Sequence, residues 1–131
     1  MNNFRAYISD LISLTKPPII SLLLVTATGS IFLASDGSPP LLITIYILIG
    51  GTLGAAGASV INNVIDRNID KAMIRTSERA VPSRRITPRS ALIYGILLNV
   101  FSFMLLNFTV NFISAFLTIF ASLFYIFIYT I

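Results

Sequence analysis

From Ser90 to Ile131 the chain runs for 42 residues without a charged side chain. As one α-helix that stretch would be about 63 Å long, roughly twice the hydrocarbon thickness of a bilayer. It must fold back on itself. The segment "NFTVN", Asn107 to Asn111, is the natural break and leaves expected spans at 90–106 and 112–131. Two further uncharged runs precede it. Pro17 to Ser35 suffices for one crossing at about 1.5 Å per residue, and Leu41 to Ile65 slightly exceeds one. Between them "DGSPP", Asp36 to Pro40, reads as a turn, because Gly and Pro break helices. The expected fold is all-α and polytopic, with four transmembrane helices at about 17–35, 41–65, 90–106 and 112–131.

Composition points the same way. Apolar residues make up 56% of the chain and charged residues only 11%, against a usual charged share of about 25%. Cysteine and histidine are both absent. This excludes a disulfide framework, a thiolate metal site, and imidazole catalysis or heme ligation by this chain. The net charge is +4, but its distribution says more than its sum. All nine basic residues (Arg5, Lys16, Arg67, Lys71, Arg75, Arg79, Arg84, Arg85 and Arg89) lie before the first span or between the second and third. Lys and Arg collect on the cytoplasmic side of membrane proteins. Both termini and the basic 66–89 loop are therefore expected in the cytoplasm or its equivalent. The first 14 residues, "MNNFRAYISDLISL", repeat apolar positions at helical spacing and suggest an interfacial amphipathic helix.

Within the second expected span, "GGTLGAAGAS" sets Gly50, Gly54, Gly57 and Ala58 along one side. Small residues at four-residue spacing allow helix backbones to approach closely in lipid. That packing would hold the polar end of the span in a fixed place.

The polar end reads "NNVIDRNID", Asn62 to Asp70. If the helix continues, Asn62, Asp66 and Asp70 stack on one face at steps of about 6 Å. Two carboxylates at that distance repel by about 3 kcal/mol at an effective dielectric of about 20. A divalent cation would compensate. Oxygen-only ligands suit magnesium, which takes one or two carboxylates together with substrate phosphate oxygens. Beside this row lie Arg67, Lys71, Arg75 and Arg79, again at four-residue steps. Together the rows would hold a magnesium-bound diphosphate at the membrane surface. Two plainer readings stand beside that one. The basic residues would also serve to fix topology, and Arg67 would also pair with Asp70 three positions on.

The motif "NxxxDxxxD" followed by "MxRTxxR" (Met73, Arg75, Thr76, Arg79) resembles the first aspartate-rich motif of the UbiA superfamily of intramembrane prenyltransferases. The opening "LTKPPIISLLLVTATGSIFLAS" is similar to the "LTKPxI" of its heme O synthase branch, the protoheme IX farnesyltransferases. "FIYT" is similar to the end of the family's fourth helix. The resemblance covers nearly the whole chain. It implies a bundle of about nine helices with two aspartate-rich motifs, one in each half. It implies farnesyl diphosphate and heme B as substrates, heme O as product and magnesium as the bridging ion. Carried over by position, Asn62, Asp66 and Asp70 would hold magnesium and diphosphate, with Asp66 and Asp70 the catalytic pair. Arg75, Arg79 and Lys16 would bind the diphosphate, with Arg67 and Lys71 as further candidates. The chain departs from the family wording at Pro18, at Asn68 and at Ala80-Val81 before Pro82.

No second aspartate-rich motif occurs between residues 1 and 131. The expectation is an N-terminal part of a longer enzyme, inactive without the C-terminal half of the bundle. The expected location is a bacterial inner membrane, or the mitochondrial inner membrane with the same loops in the matrix. Lipid is an expected partner and nucleic acid is not. Two alternatives remain open at this level: a prenyltransferase for a quinone or chlorophyll-like acceptor, and a non-catalytic transporter or assembly subunit whose acidic pair handles a cation.

Overall fold

The structure is a computed structural model and describes residues 2–130. Helix α1 spans Asn2–Leu14, α2 Pro17–Ala34, α3 Leu41–Ile65, α4 Arg67–Ala72, α5 Pro88–Thr109 and α6 Phe112–Phe124. A π-helical turn, Tyr125–Thr130, continues α6. Among the described residues there is no strand. Four helical stretches are long and apolar enough to cross a membrane: α2, α3, α5, and α6 with its π turn.

Local chemistry sets the helix ends. Pro17 disfavours helical geometry in the residue before it. Lys16 accordingly adopts a left-handed conformation (φ 54°), and the chain turns there between α1 and α2. Asp36 and Gly37, both at positive φ, make the turn after α2. Helix α5 begins earlier than the charge pattern suggests, at Pro88 rather than Ser90. The Thr87 hydroxyl accepts the Ser90 amide and Pro88 occupies the first turn, so Arg89 is helical despite its charge. The same helix passes through Asn107 and ends at Thr109, so only Val110 and Asn111 separate it from α6. There the Asn111 side chain caps α6 by accepting the Ser114 amide at 2.8 Å.

Helix α3 is the centre of the bundle. It packs most extensively on α5 and also touches α1, α2, α6 and the π turn. Its small residues make this possible. Leu106 of α5 lies over Gly50, where an added Cβ would come within 2.5 Å of the leucine side chain. Thr118 of α6 sits over Gly54 at the same distance, and Gly57 faces Gly95 and Asn99 of α5. At these crossings hydroxyls bond carbonyls of the neighbouring helix: Ser102 donates to Gly50 O at 2.6 Å and Ser122 to Gly54 O at 3.3 Å. In hydrocarbon such bonds satisfy polar groups that water cannot reach. The opposite faces carry large exposed apolar side chains, including a row of Phe112, Phe116, Phe120 and Phe124 at ring spacings of 6.2–6.5 Å. Lipid is their natural solvent.

A second core forms at the loop end of the bundle. Leu14, Val60, Val64, Ala80, Val81, Ile86 and Ala91 bury one another there. Ala80 and Val81 are both core residues that anchor the 73–87 segment on α3 and α5. In α1, Leu14 is buried and Leu11 packs on this core, while Phe4, Tyr7, Ile8 and Ile12 are exposed.

A methyl group at Gly57 would meet the Gly95 carbonyl at 2.7 Å, a backbone atom that cannot swing away. Gly57→Ala should therefore cost about 1–3 kcal/mol by forcing α3 and α5 apart. Gly29→Ala, where nothing lies within 4 Å, should be neutral or stabilising. Thermal unfolding in detergent, followed by circular dichroism, checks the contrast.

Candidate functional site

The site is built at the end of α3. The helix yields at Asp66 (φ −78°, ψ 0°) and α4 restarts one residue later. The hydrogen-bond ladder nevertheless crosses the join: Asp66 N–H donates to Asn62 O at 2.9 Å and Asp70 N–H to Asp66 O at 2.8 Å. Asn62, Asp66 and Asp70 therefore keep their one-turn steps through the bend.

Asn62 is the hub. Its side chain is buried at 3% exposure, and both ends of its amide are used. Oδ1 accepts from Lys16 Nζ at 2.8 Å. Nδ2 donates to Asp66 Oδ2 at 2.8 Å and to Thr130 Oγ1 at 2.9 Å. One amide thus joins the α1–α2 turn, the α3–α4 bend and the π turn. Asp70, also buried, accepts from Arg79 Nη1 at 2.9 Å through Oδ2. Arg79 reaches it because the segment after Met73 turns back, with the Thr76 hydroxyl on Asp70 O at 2.9 Å.

Lys16 feels this whole group. Burial pushes its pKa down, the Arg79 cation lowers it further, and Asp70 and Asp66 pull the other way. Lys16, Arg79, Asp66 and Asp70 therefore form one electrostatic neighbourhood holding two cations and two carboxylates.

The row drawn through Arg67, Lys71, Arg75 and Arg79 does not exist as a helical row. Helix α4 ends at Ala72, and Met73 is extended. Arg79 comes to Asp70 through the turn of the loop, whereas Arg75 is exposed. Arg67 donates to Val64 O at 2.7 Å and so caps the carbonyl end of α3 rather than pairing with Asp70. Arg67 and Lys71 line a separate cavity on another flank. Asn63 also turns away from the site. Its Nδ2 donates to Leu14 O and Ser59 O, tying α1 to α3.

Thr130 was not legible as a site residue. It closes the "FIYT" segment, which points to the end of a helix and not to a site. The π turn brings it back to Asn62, 68 positions away along the chain. Such turns concentrate at functional sites. Tyr125, at the start of the same turn, lines the cavity described next together with Lys16.

From Lys16 an apolar cavity of about 470 Å³ runs between α2, α3 and α6. Lys16, Thr15 and Ser59 stand on its wall beside side chains such as Ile20, Leu24 and Ala55. The size falls in the usual range for small-molecule sites.

No three Asp, Glu, His or Cys side chains converge on one point among the described residues. The donor set is two carboxylates and the Asn62 amide oxygen, the last held by Lys16 at 2.8 Å, and all of it is hard oxygen. That suits an ion which completes its shell with water and substrate phosphates, and it does not suit a fully protein-caged metal.

Comparison with known proteins adds the context. The family model described as "UbiA prenyltransferase family" matches residues 22–131. A protoheme IX farnesyltransferase of Cutibacterium acnes is 46% identical over 126 residues, covering 96% of this chain and 37% of the relative. That of Streptomyces coelicolor is 43% identical over 127 residues, covering 97% and 40%. That of a Picosynechococcus species is 44% identical over 128 residues, covering 98% and 40%. The chain thus spans about two fifths of the length of the curated relatives it matches. No solved structure matches it.

Asp70 is buried while Arg79 is about a third exposed, so their pair is partly screened. Removing Arg79 alone leaves a buried carboxylate uncompensated. A double-mutant cycle over Arg79→Gln and Asp70→Asn should give a coupling of about 1–3 kcal/mol in stability. A coupling near zero would mean that water already serves both groups.

Proposed function

The chain belongs to the UbiA prenyltransferase family, and we propose that it forms the first diphosphate-binding wall of an enzyme that transfers the farnesyl group of farnesyl diphosphate to a vinyl group of heme B. The observation that carries this reading is the Asn62 hub. An amide and two carboxylates at one-turn steps share their surroundings with Lys16 and Arg79, beside an apolar cavity that starts at Lys16. A diphosphate head with an isoprenoid tail has that same division between charge and hydrocarbon. The product, heme O, follows from the acceptor that the relatives' name specifies.

Each residue then has a physical task. Asp66 and Asp70 present oxygen to magnesium, and Asn62 Oδ1 joins them once the Lys16 ammonium leaves it for the diphosphate; magnesium when bound supplies Lewis-acid stabilisation of the diphosphate oxygens. Lys16 and Arg79 offer N–H donors to the leaving diphosphate as the carbon–oxygen bond breaks and negative charge develops there. Arg75 is a further donor from the exposed side of the loop. The farnesyl chain lies in the cavity between α2, α3 and α6, where the absence of water protects the positive allylic carbon. Thr130 orients the Asn62 amide and leaves its Oδ1 facing Lys16. The chemistry needs neither Cys nor His.

A quinone or chlorophyll-like acceptor has no observation in its favour. A cation-handling subunit has less support than the transferase, because Asp66 and Asp70 lie at the end of α3 beside Lys16 and Arg79 rather than midway along a span.

The location proposed is a bacterial inner membrane or the mitochondrial inner membrane. The N-terminus, the 66–89 loop and residue 131 face the cytoplasm or matrix, a reading supported by the placement of all nine basic residues.

In the protein that carries this chain, Asp66→Ala and Asp70→Ala should each lower heme O formation by about 100-fold or more while the protein stays in the membrane. Mass spectrometry of the heme products checks this, and undiminished product from either variant contradicts the assignment. Residues 1–131 contain no cysteine, so a background in which any cysteine elsewhere in the protein is replaced gives a second check. With a membrane-impermeant maleimide, Ser83→Cys should be labelled from the cytoplasmic face and Ser38→Cys from the opposite face. The reverse pattern would overturn the orientation.

A further inference from the structure

The basic residues from Arg67 to Arg89 divide into three groups: two are paired with carboxylates, three meet at a cavity, and Arg75 and Arg89 do neither. Arg79 and Arg85 have carboxylate partners, Asp70 and Asp10. Arg67, Lys71 and Arg84 have none within 4 Å among the described residues, and they converge on one cavity of about 280 Å³. Asn68 and Thr87 add polar groups, Val81, Pro82 and Pro88 complete the wall, and no carboxylate lines it. It shares no residue with the apolar cavity that starts at Lys16, and none of Asn62, Asp66, Asp70 or Arg79 reaches it.

We propose that this cavity binds the phosphate group of an anionic membrane lipid. Three observations support that ligand. The first is charge. Three cations around one space, with no acid among them, repel one another unless an anion enters. The preference of Lys and Arg for the cytoplasmic side explains on which side of the membrane these residues lie. It does not explain why Arg67, Lys71 and Arg84 meet at one cavity while Arg75 and Arg89 stay apart from it.

The second is depth. Arg67 lies two residues past the end of α3, and Pro88 is the first residue of α5. The cavity therefore lies level with the point where one apolar helix ends and another begins, which is where lipid phosphates sit. One turn deeper on α5, Leu92 is exposed, as is Ile96 another turn on, and an acyl chain can lie along them. Basic pockets at this level of a helical bundle are typical lipid-headgroup sites.

The third is construction. Arg84 is held at φ 63°, a left-handed conformation that a non-glycine residue adopts only when its surroundings impose it. The imposing contacts are the burial of Ala80, Val81 and Ile86 on either side of it, with Arg84 N–H donating to Val81 O and Ile86 N–H to Ala80 O, both at 3.0 Å. The fold accepts that strain and thereby presents Arg84 opposite Arg67 and Lys71. Arg67 is fixed in turn by its bond to Val64 O.

The test is lipid retention by the full-length protein. It is reconstituted in nanodiscs of phosphatidylcholine with a minor fraction of phosphatidylglycerol, then released and weighed by native mass spectrometry. Phosphatidylglycerol should be retained on the wild type. Arg84→Gly and Lys71→Gln should each lower retention by about fivefold, the value of one basic contact near an anionic surface. Arg84→Gly also removes the left-handed strain, so its thermal midpoint should not fall, and loss of lipid cannot then be ascribed to misfolding. Arg89→Gln takes the same charge from the first turn of α5, outside the cavity, and should retain lipid like the wild type. Equal loss in all three variants would reduce the effect to bulk surface charge and overturn the proposal. So would protection of the site by millimolar inorganic phosphate without any retained phosphatidylglycerol, since that outcome describes a free-phosphate site.

Discussion

The amide of Asn62 holds the arrangement together. It lies where four pieces of chain meet, and each of its polar atoms is committed: one to Lys16, the other to Asp66 and Thr130. A buried amide left unpaired in an apolar setting costs several kcal/mol, so the α1–α2 turn, the α3–α4 bend and the π turn are bound to one another through it. Leucine at this position would fill the space and leave Lys16 buried without its acceptor. The site is thus part of the structural tie between helices rather than an addition to it.

What lets Asn62 do this is the glycine-rich stretch earlier in α3. Gly50, Gly54 and Gly57 let side chains of α5 and α6 rest on the backbone of α3, which fixes where the end of α6 arrives. The π turn then adds the extra residue per turn that swings Thr130 inward. Small residues deep in the bundle and a hydroxyl at its edge are therefore links in one chain of cause. The bend at Asp66 works alongside them. It keeps the hydrogen-bond ladder and lets the loop fold back, so that Arg79 meets Asp70.

Much of this was legible in the residues and some was not. The four apolar helices follow from uncharged runs, because the price of a charge in hydrocarbon leaves little freedom about where a span lies. The one-turn stacking of Asn62, Asp66 and Asp70 follows from spacing alone, and the bend happens to preserve it. The basic row failed because helical spacing was extended past Ala72, where the helix stops, and burial of Ala80, Val81 and Ile86 redirects the chain. Thr130 was illegible because its contact spans the whole of α5 and α6. Arg67 and Lys71 stand close to the acidic motif along the chain, yet they face another flank, since a helix separates adjacent side chains by about 100°. Helix α5 starts two residues before the uncharged run, because the Thr87 cap and Pro88 draw Arg89 into its first turn.

The central claim is that the carboxylate row binds diphosphate through a metal. Calorimetric titration of farnesyl diphosphate into the purified protein, with magnesium and then with the metal chelated, addresses it most directly. The account predicts binding that requires magnesium and disappears in Asn62→Leu. Equal binding after chelation, or undiminished magnesium-dependent binding in Asn62→Leu, would contradict it.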